Sequence, residues 1–98
     1  MASISVEEVG EKFGDNSNKL RNLLPLVKRV NGYNENVKLG QYAEAVLLYS
    51  ELRERMEIAV EQSYLRKQDT YWFYWRLEVP IDEVVGLLNK QYVGSNEE

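Results

Sequence analysis

Between Gln41 and about Gln62 the chain holds neither proline nor glycine, and Tyr42, Ala45, Tyr49, Leu52, Met56 and Ala59 recur at spacings of three and four. That spacing lays six apolar side chains along one stripe of a helix. A helix of this length spans about 30 Å. Such a stripe must be covered, either by the chain's other segments or by a second copy in the manner of a coiled coil. A homodimer through the 41–62 helix is therefore one expectation. Packing within the chain is the other, and it is favoured because three further segments have helical periodicity. Glu51 and Arg55 are expected to pair on the opposite face, four residues apart.

The cover has to come from 98 residues, the size of one small domain. Apolar residues make up 44% and charged residues 29%, a globular balance and not a disordered one. Cysteine and histidine are both absent. Disulfides, thiol redox chemistry and histidine-dependent triads are excluded, and with them the commonest general base and zinc ligand. The longest apolar runs, such as Ala45–Tyr49, are five residues. A membrane-spanning helix needs about 20. The opening MASISVEEVG has neither the basic flank nor the apolar stretch of a signal peptide. The expectation is a cytoplasmic, non-enzymatic binding protein without membrane contact, cofactor or metal.

Net charge is −4, unevenly spread. Residues 12–38 carry six bases and two acids, whereas residues 39–98 carry six bases and eleven acids. The acidic total opposes indiscriminate binding to nucleic acid, while the basic stretch leaves room for one local contact surface.

Three other segments show a period. In Val6–Phe13, Ser5 and Glu8 form a capping box, Val6, Val9 and Phe13 share a face, and Gly14 is placed to end the helix. In Ser17–Val30, Leu20, Leu23, Leu24, Val27 and Val30 form a stripe that Pro25 is expected to kink or break. Asn31-Gly32 reads as a stop and 33–40 as a loop. After Pro80, Asp82 is expected to cap a last helix, Glu83–Tyr92, leaving a mobile acidic tail over 94–98 and a single domain over 1–93.

The run from Glu8 to Leu24 resembles the helix-turn-helix signature of DNA-binding regulators. Gly10 stands where the two helices touch, Gly14 in the turn, and Val9, Phe13, Leu20, Leu23 and Leu24 at the apolar positions. The resemblance implies that the second helix enters a DNA groove, so that Ser17, Asn18, Lys19, Arg21 and Asn22 face phosphates and base edges. Lys28 and Arg29 extend the same basic stretch.

Thr70–Val79 alternates Tyr71, Phe73, Trp75, Leu77 and Val79 with Thr70, Trp72, Tyr74, Arg76 and Glu78. A period of two in such residue types predicts a strand. Its expected partner is Gln62–Lys67, turning through Gln68-Asp69, with Ala2–Ser5 as a possible third strand. Phe73 and Trp75 would then face the core, and Trp72, Tyr74 and Arg76 would form an exposed partner-binding face. The competing reading is a helix, because Leu65, Trp72, Trp75 and Val79 also share a helical face. The aromatic block, preceded by Ser63-Tyr64, resembles the wing hairpin of the winged-helix domain in archaeal transcription factor E and its eukaryotic counterpart, which implies attachment to transcription machinery.

Glu51, Glu54, Glu57 and Glu61 resemble the magnesium-binding carboxylates of all-helical nucleotide pyrophosphatases, but the second acidic pair such a site needs is only loosely supplied by Glu78, Asp82 and Glu83. They read better as a solvated face. The fold expected is α+β, mostly α, with about four helices and a small C-terminal hairpin, winged-helix-like; the alternative is an all-α bundle. The function expected is a DNA-binding or transcription-associated accessory protein. The alternative is a protein–protein interaction module, a phage-type inhibitor or adaptor, that binds through an aromatic or acidic surface.

Overall fold

The chain's computed structural model describes residues 3–97, with side chains through Tyr92. Its first helix begins where Ser5 and Glu8 cap each other. The Glu8 N–H donates to Ser5 Oγ at 3.1 Å and the Ser5 N–H to Glu8 Oε1 at 3.4 Å. This helix, α1, spans Val6–Phe13. Gly14 ends it with φ of 99°, a conformation in which a side chain would be strained. Asn16 then accepts from the Asn18 and Lys19 N–H groups and starts α2, Ser17–Lys38.

α2 neither breaks at Pro25 nor stops at Asn31-Gly32, and the expected loop over 33–40 is helical through Lys38. Pro25 lacks the donor that the Arg21 carbonyl would receive, but Arg21 lies at the surface where water can replace it. The stop signal is overridden by tertiary contacts. Asn31 exchanges two hydrogen bonds with the Ile4 backbone, at 2.9 and 3.0 Å. Gly32 admits Leu48 of the next helix so closely that a Cβ there would lie 3.1 Å from its Cδ1. Tyr33 is fully buried and donates to the Val79 carbonyl at 2.6 Å.

A turn through Gly40, at φ of 73°, reverses the chain into α3, Tyr42–Glu61. The short connection makes α2 and α3 antiparallel neighbours. Ala45, Leu52, Met56 and Ala59 are buried, while Tyr42 and Tyr49 are half-buried in the same packing. The long stripe is therefore covered within the chain. Glu51 does not pair with Arg55 as expected; its Oε1 lies 3.2 Å from Arg29 Nε on α2.

The expected β-hairpin is absent: no strand occurs among the described residues. Ser3–Ser5 is irregular, and Ala2 lies outside the described residues. The intended partner strand, Gln62–Lys67, is occupied in closing α3. The Tyr64 and Leu65 N–H groups both donate to the Ala59 carbonyl, and Ser63 takes a left-handed φ of 64°. Asp69 then receives the Arg66 N–H, and Thr70 Oγ1 donates to the Lys67 carbonyl at 2.6 Å. These local bonds set a 3₁₀ turn over Lys67–Asp69 that leads into a short helix, α4, Thr70–Trp75. A strand without a partner would leave its backbone groups unpaired, and the helix satisfies them internally. The winged-helix expectation fails with the hairpin, and the all-α alternative describes the fold.

α5 runs Ile81–Glu97, two residues earlier than expected at its start and past the expected end at Tyr92. The backbone of 94–97, expected as a tail, thus belongs to α5, while the side chains of 93–98 and all of Glu98 lie outside the described residues. α5 packs on α3 near the α2–α3 turn, where Gln91 donates to the Gly40 carbonyl at 3.1 Å.

The core has two parts along the α2–α3 hairpin. Ile4, Val9, Leu23, Leu26, Phe73 and their neighbours fill the end under α1 and α4. Tyr33, Ala45 and Val84 fill the end under α5. Each fully covered aliphatic or aromatic side chain contributes about 1.5–3 kcal/mol. No polar side chain is buried among the described residues.

Candidate docking surface

α4 is too short to bury a whole face. Phe73 is its one fully buried side chain, at 0% exposure, stacked 5.5 Å from Phe13. Helical spacing then puts Tyr71 and Trp75, four residues apart, on the outer side together. Trp75 is 85% exposed and Tyr71 65%. This reverses part of the sequence expectation, which placed Trp75 in the core.

Trp72 and Arg76, expected to face a partner, clamp α4 onto α1 instead. The Trp72 ring meets Phe13 edge-on at 5.5 Å. The Arg76 guanidinium lies 5.3 Å over the Trp72 ring and bonds both Glu8 oxygens, at 2.5 and 3.3 Å. That arginine hydrogen bond is the main cause holding the Glu8 carboxyl below the usual glutamate range; partial burial opposes it.

Tyr74 is the one member of the expected trio that lines the open surface. α4 leans on α2 and leaves a cleft against α3 of about 440 Å³, walled by Arg53, Met56, Glu57, Val60, Tyr71 and Tyr74. A second cleft of about 350 Å³ lies on the other side of the same tyrosine, among Tyr49, Trp75, Leu77, Pro80 and Ile81. Tyr49 and Tyr74 pack ring to ring at 6.0 Å. Burial pushes the Tyr74 hydroxyl's pKa up, with Tyr49 and Glu57 adding to the effect, while Arg53 opposes it. The phenol therefore stays neutral and offers a hydrogen bond, not a nucleophile. The wall is aromatic and apolar, and its rim carries Arg53, Glu57, Glu61 and Lys67.

The expected DNA-facing residues are distributed differently. Ser17, Asn18, Arg21 and Lys28 are exposed, and Lys19 and Asn22 are half-buried. Asn22 donates back to the Asn18 carbonyl at 2.7 Å. Arg29 is folded onto its own helix and its neighbour, donating to the Pro25 carbonyl at 3.0 Å beside Glu51. Gly14 and Asn16 make the expected turn, but α2 is a 22-residue helix packed on α3, not a short rod.

The acidic residues of α3 do not assemble. No group of three or more metal-binding side chains occurs among the described residues. Among them, too, no helix is long and apolar enough to cross a membrane. Comparison of the chain with protein-family models, with curated proteins and with solved structures gives no match.

The signal that would have found Trp75 and Tyr71 is their spacing of four within an aromatic block. The alternation of two in the same residues concealed it.

Proposed function

We propose that the chain is a protein-interaction module that takes a basic, amphipathic segment of a partner protein across the clefts beside Tyr74. The observation that carries this reading is Trp75, 85% exposed on the rim of one cleft, with Tyr71, 65% exposed, lining the other and Tyr74 shared by both. Tryptophan, tyrosine and arginine dominate interface hot spots, where a large rigid side chain seals against a pocket. The folded chain gains nothing from leaving that much aromatic surface in water. Glu54, Glu57 and Glu61 stand exposed on the adjacent side of α3, in the 39–98 stretch that carries eleven acids against six bases. They favour a partner segment that brings lysine or arginine alongside its apolar side chains.

The test uses a fluorophore-labelled amphipathic helical peptide of leucine and lysine, and its counterpart with glutamate for lysine. The lysine peptide should bind. Tyr71→Ala with Trp75→Ala should weaken it about tenfold or more, the scale of a hot-spot loss. Equal binding of both peptides, or undiminished binding by the folded double variant, would refute the reading.

A further inference from the structure

We infer that the other side of the last turns of α3, away from the Tyr74 clefts, is a binding site for single-stranded nucleic acid, centred on Tyr64. The inference does not rest on the docking surface and uses none of its residues. Two hollows adjoin there and share Tyr64, half-buried against the core, as a lining residue. One, of about 330 Å³, is lined by Lys12, Lys19 and Arg66. The other, of about 90 Å³, is lined by Arg21 and Arg55.

These five cations come from four separate elements: the end of α1, the first turns of α2, the last turns of α3 and the loop that follows. The chain as a whole has 16 acids and 12 bases, so chance placement would mix the signs. Instead, among the described residues, the only carboxylate lining either hollow is Asp69, and it is already held by Arg66 at 3.4 Å and by the Arg66 backbone N–H at 3.1 Å. Arg55 joins the cluster because Glu51, its expected partner, is taken by Arg29. Arg66 is thus neutralised by Asp69, while the remaining four, Lys12, Lys19, Arg21 and Arg55, repel one another, and an anion that enters relieves that repulsion.

The neutral groups narrow the anion. Asn22 and Gln62 line the smaller hollow and Ser63 the larger, and each can donate to a phosphate oxygen. A half-buried tyrosine between two cationic hollows provides a stacking face between two phosphate contacts. That is the arrangement by which single strands are held without reading their sequence. An acidic protein segment would use the cations but not the ring.

The test is fluorescence anisotropy of a labelled mixed-sequence DNA single strand with the full chain at low salt. Binding should weaken about tenfold for Lys19→Glu with Arg21→Glu and several-fold for Arg55→Glu, since each lost phosphate contact also flattens the salt dependence. Tyr64→Leu should weaken binding while leaving the salt dependence unchanged, the mark of lost stacking. Lys90→Glu makes the same charge change as Arg55→Glu near the far end of the hairpin and should have no comparable effect. Circular dichroism establishes that each variant is folded. No binding by the wild type, an equal loss with Lys90→Glu, or displacement by poly-glutamate as readily as by unlabelled strand would each overturn the inference.

Discussion

Replacing Phe73 and Trp75 by alanine, one at a time, separates the helical packing of this segment from the alternation in its sequence. A buried aromatic side chain hides roughly 200 Å². Phe73 is fully covered. At about 25 cal/mol per Å², and with the cavity left behind, Phe73→Ala should cost about 3–5 kcal/mol. Trp75 is 85% exposed, which leaves roughly 40 Å² covered and a cost below about 1 kcal/mol. Urea unfolding followed by circular dichroism reads both. With a slope of about 1–3 kcal/mol per molar, the first variant should lose at least about 1 M from its midpoint, and the second should stay close to wild type. In a strand both side chains would face one core and both substitutions would be severe. A Trp75→Ala penalty comparable to that of Phe73→Ala would therefore refute the placement of α4.

Two further predictions concern titration. Burial, reinforced by Tyr49 and Glu83, pushes the Tyr33 hydroxyl up to about 12. Its folded-state value is raised, so its contribution is intact below the ordinary tyrosine range and is lost as pH rises through that range toward 12. Tyrosinate absorbance should show late-titrating groups, Tyr74 being raised as well, and Tyr33→Phe should remove the latest of them; a high-pH titration left unchanged by Tyr33→Phe would contradict the packing. Glu8 behaves in the opposite sense, because Arg76 depresses its folded-state value. Its contribution is present above the ordinary glutamate range and fades as pH falls through the depressed value. The stability gap between wild type and Glu8→Gln should therefore be open at neutral pH and close on acidification, and a gap independent of pH would exclude the ion pair as its source.

The basic residues show how partly a site can be read from sequence. Lys19 and Arg21 stand out in the one basic stretch, and both line the hollows at Tyr64. Arg55 and Arg66 carry no such signal, because the elements that bring them there are more than 30 positions away along the chain. Arg29, chosen with the same stretch, is withdrawn by Glu51 from α3. Charge pattern finds a segment; only packing decides which cations converge.

Features closed within a turn or two were determined by the amino-acid order itself. The Ser5–Glu8 cap, the glycine that ends α1, and the unbroken α3 stripe all depend on groups three or four residues apart. The length of α2 and the identity of the exposed aromatics were decided in three dimensions. Asn31 finds its partner 27 residues away and Tyr33 finds its partner 46 away, and these bonds carry the helix past its own stop signal. α4 is a helix because the segment that might have paired with it as a strand is used to close α3. A local hydrogen bond forms whatever the rest of the chain does, whereas a strand needs a partner that the assembled fold can withhold.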